Sequence, residues 1–365
     1  MVAIATLFFI LLRTVVWSWT SASEFSKKDR IATRHKVSFI MQVPKRYAEE
    51  IATIPGVTAV AWANWFGAKD PKNEQDFFAT IATDPKKLLD VYSEIKTTEG
   101  EKQAWFEDRQ GALVGDALAK KKGWKVGDKV TLAGTIYPGD WTFNVRGIYT
   151  TTTTNVDRST LWFHWDYLNE SLPPRQKDMV GWIMTNIKDS SQSGSISKQV
   201  DAKFDDRDLQ TITMSEAALN QSFLGMFSAV LKAIDIVSVV ITLIMALIVG
   251  NTIAMGVRER TNEYGVLRAI GFLPKHIVRF ILAEGVVIGV IGGLIGVLLG
   301  YPVVNGALGR VIEENMGNMF PQFKVQPEIA AFAFGLAMVL GLVAAILPAR
   351  KASRLQVVEA LRRVG

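Results

Sequence analysis

The residue types that usually carry out catalysis are sparse in this sequence and are not spaced for it. The chain has no cysteine, which excludes disulfides, zinc–thiolate sites and thiol nucleophiles. Its three histidines, His35, His164 and His276, are far apart and lack metal-ligand spacing. The sequence contains no H-E-x-x-H, G-x-S-x-G or G-x-x-x-x-G-K-[ST] motif. We therefore expect no catalytic residue, metal site or cofactor in this chain, and a membrane-anchored enzyme is the least supported alternative.

A short charged segment between two apolar runs is a better candidate for function. Residues 257–276 contain four Lys or Arg side chains, Arg258, Arg260, Arg268 and Lys275, and Arg279 lies just beyond. Val266, Leu267 and Ile270 form an apolar face at helical spacing, and Gly271 ends the helix. An isolated helix of this length is marginal in water. It must therefore dock on something, and both the membrane surface and a partner protein remain open.

Four apolar runs predict membrane helices on both sides of this segment. A helix needs about 20 mostly apolar residues to cross a bilayer. Three runs meet that requirement, at 229–256, 277–303 and 329–348. The apolar run at residues 1–20 is short and contains Arg13. The alternatives are a short span, a span that starts upstream of residue 1, and a cleavable signal peptide. No basic residue precedes the apolar stretch, which favours a span.

The distribution of Lys and Arg predicts the orientation of these helices. The loop 257–276 and the tail 349–365 are rich in basic residues, whereas the loop 304–328 is not. The first two are therefore expected in the cytoplasm, and the loop 304–328 and the polar region 21–225 outside it. This topology accounts for the net charge of +6 without a nucleic-acid-binding surface.

Residues 21–225 predict an α+β domain that contains two strand–helix–strand units. The expected elements of the two units are His35–Gln42, Lys45–Ile54 and Val57–Phe66, then Met179–Ile187, Ser193–Phe204 and Leu209–Thr213. We expect these units to pair into one platform. A small, mostly β insertion is predicted between them, from a helical run and two strands that flank a turn. Its elements are Gly111–Gly123, Lys129–Ala133 and Trp141–Tyr149.

Two features of this domain have both a structural and a binding interpretation. The run Lys120–Lys122 is interpreted as a solvated helix end, with a binding patch as the alternative. The tryptophans are interpreted as core residues, with an apolar ligand or partner surface as the alternative. They are Trp62, Trp65, Trp105, Trp124, Trp141, Trp162, Trp165 and Trp182.

The predicted helix at 277–303 carries glycines at a spacing typical of close helix packing in lipid. They are Gly285, Gly289, Gly292, Gly293, Gly296 and Gly300. This spacing predicts tight packing on one face, either within the protomer or in a dimer. Glu284 lies at the inner edge of the same helix, where an acidic group is costly. A functional and a structural role for Glu284 are both open.

Several of these motifs together resemble the MacB/FtsX-type ABC transporter permeases, which include macrolide exporters, lipoprotein-releasing permeases and the FtsX division protein. The resemblance covers the whole chain, and a domain of this length is closer to the exporter and lipoprotein-release branches than to FtsX. It rests on Arg260-Thr-Asn-Glu-Tyr-Gly-Val-Leu-Arg-Ala-Ile-Gly271, Glu284, the glycine series, Leu347-Pro-Ala-Arg-Lys-Ala-Ser-Arg354, Gly111-Ala-Leu-Val-Gly-Asp-Ala-Leu-Ala119 and Trp124-Lys-Val-Gly-Asp-Lys-Val130.

The resemblance implies a membrane α-helical fold with four transmembrane helices and a large extracytoplasmic α+β domain between the first two. It implies that residues 261–275 form a coupling helix on a separate cytoplasmic ABC ATPase subunit, which binds ATP and Mg²⁺. The coupling residues implied are Glu263, Tyr264, Gly265, Leu267, Arg268 and Gly271. It also implies a second permease protomer, in a homodimer or heterodimer, within the lipid of the bacterial inner membrane.

The implied activity is mechanotransmission, in which ATP-driven closure of the dimer moves the membrane helices and the external domain. The cargo implied is lipophilic, lipoprotein or peptide-like, with a periplasmic adaptor or lipoprotein carrier as a further partner. An FtsX-like regulator that activates an extracellular cell-envelope partner is the alternative. The sequence departs from the family pattern at Tyr264, where an apolar residue such as Ile is usual, and in lacking a basic stretch before the first span.

Overall fold

The computed structural model describes residues 2–20, 26–72, 78–153, 156–225, 228–316, 320 and 322–354. The chain divides into two compact units. We call the first the membrane unit, formed by Met1–Ser18, Phe227–Arg310 and Phe323–Gly365. We call the second the inserted unit, formed by Trp19–Met226 and Val311–Gln322.

Helices dominate the membrane unit and alternate with strands in the inserted unit. The helices are α1 (Val2–Thr20), α2 (Arg46–Ala52), α3 (Pro85–Val91), α4 (Glu99–Glu107), α5 (Asp116–Lys122), α6 (Trp165–Ser171), α7 (Ser193–Phe204), α8 (Glu216–Gly225), α9 (Ser228–Glu259), α10 (Thr261–Ala269), α11 (Pro274–Pro302), α12 (Gly309–Met316) and α13 (Pro327–Ser353). The strands are β1 (Arg30–His35), β2 (Val43–Pro44), β3 (Val57–Trp65), β4 (Ala68–Lys69), β5 (Ala79–Thr83), β6 (Ile95–Lys96), β7 (Gly111–Gly115), β8 (Lys129–Gly134), β9 (Gly139–Thr151), β10 (Thr160–His164), β11 (Met179–Val180), β12 (Trp182–Ile187) and β13 (Thr211–Ser215).

Four helices of the described chain are long and apolar enough to cross a membrane, namely α1, α9, α13 and the continuous helix that begins with α11. A wider, π-helical turn at Val303–Leu308 carries α11 on into α12. The segment expected as the loop 304–328 therefore begins as helix. Residues 322–326 form an irregular connection before α13.

The inserted unit is built on one mixed sheet. Among the described residues its main path runs in the order β13-β1-β12-β3-β5-β10-β7-β9-β8-β4. Each neighbouring pair among the first four strands is antiparallel, and these strands come from the two strand–helix–strand units. This pairing confirms the predicted platform. The predicted insertion extends the same sheet through the parallel pair β7–β9, and β5 and β10 connect it to the platform.

The first predicted strand is wrong, because strand β1 ends where that prediction began. Val37 and Ile40 belong to an exposed loop after β1, although their β-branched side chains are typical of strands. The actual strand lacks an apolar pattern, since Arg30, Thr33 and His35 are buried polar residues within it. Buried polar groups with partners are invisible to hydrophobic periodicity.

The helical prediction for Gly111–Gly123 is also wrong in its first half. Gly111–Gly115 is the buried strand β7, and only Asp116–Lys122 is helical. A Cβ atom on Gly115 would lie 2.0 Å from the carbonyl oxygen of Arg158, so only glycine fits this strand end. A short apolar run such as Ala112–Val114 does not distinguish a buried strand from a helix.

The interpretation of Lys120–Lys122 as a solvated helix end is wrong for its last residue. The Lys122 side chain is only 7% exposed, and its Nζ atom lies 2.8 Å from Oδ2 of Asp70. The Asp70 carboxyl is partly buried, which favours its neutral form, but its hydrogen bonds with Lys122 and the Lys72 backbone N–H outweigh this effect and lower the pKa of Asp70. Lys122 thus ties α5 to the residue that follows β4.

The tryptophans of the inserted unit belong to its hydrophobic core. Trp62, Trp105, Trp141, Trp162 and Trp165 are buried. The others are partly buried and pack against the same clusters, namely Trp65, Trp124 and Trp182. The core interpretation therefore accounts for all eight.

A buried ion-pair cluster around Arg30 joins distant parts of the inserted unit. Arg30 has no solvent exposure and lies 2.8 Å from Glu94 and 3.0 Å from Glu216. Replacing one charge of such a cluster leaves the others buried and unpaired. We expect Arg30→Met to lower the free energy of unfolding of the full chain by about 3–5 kcal/mol, measured by thermal unfolding in nanodiscs.

Asp205→Asn is the matched control for this prediction. Asp205 forms an ion pair with Lys36 in the same unit, but both side chains are about half exposed. Exposed pairs contribute roughly 0–1 kcal/mol, so this variant should unfold near the wild-type temperature. Equal stability of the Arg30 and Asp205 variants would contradict the assignment of Arg30 as a central structural residue.

Candidate docking helix and the helix packing that supports it

Helix α10 lies between two membrane helices and ends in a sharply defined cap. Gly271 has a φ of +107°, a conformation that side chains disfavour. The Gly271 N–H donates to the carbonyl of Arg268 at 3.2 Å, and the Phe272 N–H donates to that of Leu267 at 3.0 Å. This pair of bonds is the Schellman arrangement. It holds the end of α10 in one conformation.

The next helix begins only a few residues later. Pro274 occupies the first turn of α11, where a missing N–H costs nothing. The Leu273 N–H donates to Nδ1 of His276 at 3.3 Å, which satisfies a backbone donor at the helix start. The predicted end at Gly271 and start at Pro274 are both confirmed. The connection between α10 and α11 is therefore short and hydrogen-bonded.

One face of α10 is part of the core of the membrane unit. Tyr264 and Gly265 are buried, and Leu267 is partly buried. Tyr264 belongs to the same apolar cluster as Ile277 at the start of α11 and Ala349 near the end of α13. Burial raises the pKa of the Tyr264 hydroxyl, and the neighbouring Glu284 adds to this effect. The tyrosine at this position thus acts as a neutral, largely apolar core residue.

Two polar contacts also fix α10 to its neighbours. Nη1 of Arg268 donates to the carbonyl of Ser353, the last residue of α13, at 3.4 Å. Arg260, at the junction of α9 and α10, forms an ion pair with Glu284 of α11, with Nη1 and Oε1 3.3 Å apart. The structure therefore gives Glu284 a partner at the inner edge of its helix.

The opposite face of α10 is exposed and apolar. Val266 is 49% exposed and Ile270 is 69% exposed, and both follow the exposed Glu263 along the helix. Phe272 and Leu273, in the connection to α11, are also exposed. Two apolar side chains spaced by four residues lie on one face of a helix. They form an outward surface that we call the α10 outer face, defined by Glu263, Val266 and Ile270.

The six residues that the resemblance implied for coupling are divided between the two faces. Glu263 and Gly271 are exposed, whereas Tyr264 and Gly265 are buried, and Leu267 and Arg268 are partly buried. Sequence reasoning missed Val266 and Ile270 as site residues, although it placed them on an apolar face with Leu267. No spacing signal separates them from Leu267, because Leu267 and Ile270 are three residues apart and also share a helix face.

The glycines of α11 lie along one side of the helix and contact two neighbouring helices. Gly285, Gly289 and Gly293 face α13, and a Cβ on Gly289 would lie 2.5 Å from the carbonyl oxygen of Ala337. Gly292, Gly296 and Gly300 face α1, and a Cβ on Gly296 would lie 2.6 Å from Cβ of Thr6. Such distances require glycine, because it alone lets the backbones approach so closely. Helix α11 is thus the centre of the membrane unit.

An ion pair joins α1 to α9 within the membrane unit. Nη1 of Arg13 lies 2.8 Å from Oδ1 of Asp235. Both residues lie in helices that are apolar enough to cross a membrane, where an unpaired charge is costly. The charge that interrupts the first apolar run therefore has a partner on another helix, which the sequence did not reveal.

We expect Asp235→Leu to destabilise the membrane unit, because Arg13 then keeps its charge among apolar helices. The free energy of unfolding should fall by up to about 3 kcal/mol. It is measured by unfolding the permease in mixed micelles that are titrated with dodecyl sulfate. The exchanged pair Arg13→Asp with Asp235→Arg is the control, and it should recover most of the loss. If the exchanged pair is no more stable than Asp235→Leu, the ion pair does not hold these helices together.

Comparison with known proteins agrees with this architecture. A family model described as MacB-like periplasmic core domain matches residues 2–203, and one described as FtsX-like permease C-terminal matches residues 236–357. The chain belongs to the MacB/FtsX-type ABC transporter permeases. Its four membrane helices, with a MacB-like α+β domain inserted between the first two, confirm the expected fold class.

Individual relatives are similar over different parts of the permease. An uncharacterized ABC transporter permease of Methanocaldococcus jannaschii is 24% identical over 87% of this chain and 79% of its own length. The macrolide export ATP-binding/permease protein MacB of Psychrobacter arcticus is 28% identical over 51% of this chain but only 27% of its own length. The ABC transporter permease YtrF of Bacillus subtilis is 33% identical over 35% of this chain and 31% of its own length.

A solved structure aligns with about half of this chain. The extracellular domain of the noncanonic ABC-type transporter YknZ from Gram-positive bacteria aligns with 51% of this chain and 100% of that structure. The TM-score is 0.39 and the sequence identity is 12%.

Proposed function

We propose that this permease transmits ATP-driven motion from a separate ABC ATPase subunit to its inserted unit. The observation that carries the proposal is the α10 outer face. An exposed apolar pair on a short helix needs a partner, and the opposite face of the same helix is fixed in the membrane unit. A subunit that holds this face can therefore move the membrane helices.

The contacts of α10 define a path for that motion. Tyr264, Arg260 and Arg268 connect α10 to the inner ends of α9, α11 and α13. Helix α11 then contacts α13 and α1 through its two sets of glycines. Since backbones in such close contact cannot separate freely, displacement of α10 moves the four helices together. Two of them, α1 and α9, continue along the chain into the inserted unit.

The ATPase subunit binds ATP and Mg²⁺ in this proposal, because the permease sequence has no phosphate-binding loop. Two permease protomers in a cytoplasmic membrane, each with an ATPase on its α10 outer face, form the working assembly. The inserted unit acts on the outer side, on a lipophilic, lipoprotein or peptide-like cargo or through a periplasmic adaptor or lipoprotein carrier. Support for these assignments comes from the family and from the apolar, charge-bordered surface of α10.

Spin labels on the inserted unit test this proposal. The chain has no native cysteine, so Lys188→Cys, at an exposed position, provides a single label site in each protomer. The labelled permease is reconstituted with its ATPase subunit in nanodiscs. We expect the label–label distance to change when ATP and vanadate are added and to return after ADP exchange.

An unchanged distance in the presence of active ATP hydrolysis would contradict mechanotransmission. The same label in a chain that carries Val266→Asp and Ile270→Asp serves as the control, because it should show no ATP-dependent change. A change that persists in the control would place the ATPase contact elsewhere on the chain.

A further inference from the structure

The chain enters and leaves the inserted unit at one end of its sheet. Residues 26–29 lead into β1, and β13 leads into α8. Strands β1 and β13 are antiparallel neighbours, with Ile31 opposite Ser215 and His35 opposite Thr211. The start of β1 therefore lies beside the end of β13. We call residues 26–29 the entry connection and residues 216–220 the exit connection.

Direct hydrogen bonds join these two connections. The Lys27 N–H donates to Oε2 of Glu216 at 2.9 Å. Nδ2 of Asn220 donates to Oγ of Ser26 at 3.0 Å. Both bonds cross from the entry connection to the exit connection, outside the paired part of the strands. The pairing of β1 with β13 alone does not require either of them.

Arg30 joins both connections to the body of the unit. Its guanidinium donates to Oε1 of Glu216 at 3.0 Å, to both carboxylate oxygens of Glu94 at 2.8 and 2.9 Å, and to the carbonyl of Val91 at 3.0 Å. It also stacks on the ring of Tyr92, with its Cζ atom 4.1 Å from the ring centroid. The segment from Val91 to Glu94 begins at the last residue of α3, so the cluster links three separate parts of the chain.

The two carboxylates that contact Arg30 respond differently to burial. At Glu216, burial outweighs the attraction of Arg30 and raises the pKa of the carboxyl. Burial by itself raises the pKa of Glu94, but the attraction and hydrogen bonds of Arg30, together with Lys27, outweigh burial and hold that pKa below its usual value. Lys27 Nζ lies 3.4 Å from Oε2 of Glu94. A buried ion pair is weak support for stability alone, because apolar residues of similar volume often stabilise as much. Its directional bonds instead fix one arrangement of the groups that they join.

We propose that Arg30 and Glu216 clamp the entry and exit connections into a single rigid attachment of the inserted unit. The two connections then stay together throughout the ATP cycle, and motion of α1 and α9 reaches the inserted unit as one displacement. Without the clamp, each connection could move separately, and part of the displacement would be lost in relative sliding. Arg30 and Glu216 are positioning residues in this proposal, which rests on the function proposed above.

Cross-linking of the two connections tests the clamp. The variant Ser26→Cys with Asn220→Cys is treated with a short, reducible bis-methanethiosulfonate in the full permease–ATPase complex in nanodiscs. We expect the cross-link yield with ADP and with ATP and vanadate to agree within about twofold, because side chains that stay in contact keep a constant effective concentration. Ser26→Cys with Lys129→Cys is the control, because the exposed Lys129 belongs to β8, which is far from β1 along the sheet, and this pair should not cross-link.

A fall of about tenfold in cross-link yield in the vanadate-trapped state would overturn the clamp. The second readout is the distance between spin labels at position 188. These labels are attached to a ketone-bearing residue at that position, so that they do not react with the cysteines used for cross-linking. We expect the cross-linked complex to keep the ATP-dependent distance change. The clamp would also be overturned if cross-linking abolished the ATP-dependent distance change while ATP hydrolysis continued, and reduction of the cross-link restored it. That result would show that the connections must separate.

Glu216→Gln tests the role of the charge while conserving the shape of the side chain. We expect a normal cross-link yield with ADP and a fall of about tenfold in the trapped state. An equal fall in cross-link yield with ADP and in the trapped state indicates that Glu216 has a structural role only. An unchanged yield in both states rules out Glu216 as the clamp. If the unmodified complex shows no ATP-dependent distance change, the proposed function fails, whereas the cross-link yields still decide whether the connections stay together.

Discussion

Replacing Val266 and Ile270 by aspartate is expected to weaken binding of the ATPase subunit by at least about thirtyfold. Central apolar contacts of an interface contribute about 2 kcal/mol or more, which corresponds to that factor. Both side chains point away from the core of the membrane unit, so the permease itself should fold normally. The measurement is co-purification of the two subunits, together with ATP hydrolysis by the reconstituted complex.

Val126→Asp is a matched control for this prediction. Val126 is 47% exposed, close to the 49% of Val266, but it belongs to the inserted unit. The same chemical change at the same exposure should leave ATPase binding unchanged. Leu267→Asp is a second comparison, because it places a carboxylate in the membrane-unit core and should prevent folding. Normal ATPase binding by the Val266 and Ile270 variant would exclude the α10 outer face as the docking surface.

The second large effect is expected at the two sets of glycines in α11. Gly289→Ala places a methyl group 2.5 Å from the carbonyl oxygen of Ala337, and Gly296→Ala places one 2.6 Å from Cβ of Thr6. Neither neighbour is the end of a flexible side chain, so the helices must move apart. Overpacking of this kind costs about 1–3 kcal/mol at each position. Unfolding of the permease in mixed micelles with dodecyl sulfate measures the loss.

Gly335→Ala on α13 separates overpacking from a general effect of glycine replacement. No heavy atom lies within 4 Å of a Cβ built at Gly335. Alanine is favoured over glycine in a helix by up to about 1 kcal/mol, so this variant should be as stable as the wild type or slightly more stable. If Gly289→Ala and Gly335→Ala have the same stability, the close approach of α11 and α13 is wrong.

The long apolar runs predicted the membrane helices well, because a helix in lipid must be apolar along its whole length. The inserted unit was harder to predict, since its strands and helices depend on contacts distant in sequence. Arg30 illustrates the limit. A buried arginine interrupts the hydrophobic pattern that would predict its strand. Its partners Glu94 and Glu216 are distant in sequence. Only the fold shows that these charges are paired.

The docking helix could be located from the sequence, but its faces could not. Gly271 and Pro274 mark its boundaries through backbone geometry, which acts locally. The division of Leu267 from Val266 depends on which side of the helix the membrane unit covers. In a helix of this length apolar residues lie on both faces, so burial rather than composition identifies the exposed pair.

The glycine series shows the same contrast between local and tertiary information. Its spacing predicted close packing, and the structure places three glycines against α13 and three against α1. Gly285, Gly289 and Gly293 repeat every four residues, and so do Gly292, Gly296 and Gly300. The two sets are offset by seven residues, or two helical turns, so they lie on nearly the same side of the helix at different heights along it. Which helix contacts each set follows only from the tertiary structure.

The sidedness of two positions tests the account most directly. Single cysteines at Ile270 and at Lys188, in a chain without native cysteine, are labelled with a membrane-impermeant maleimide in sealed vesicles of either orientation. We predict that position 270 is labelled only from the cytoplasmic side, and less when the ATPase subunit is bound, and that position 188 is labelled only from the opposite side. Labelling of both positions from the same side would contradict transmission of motion across the membrane by this permease.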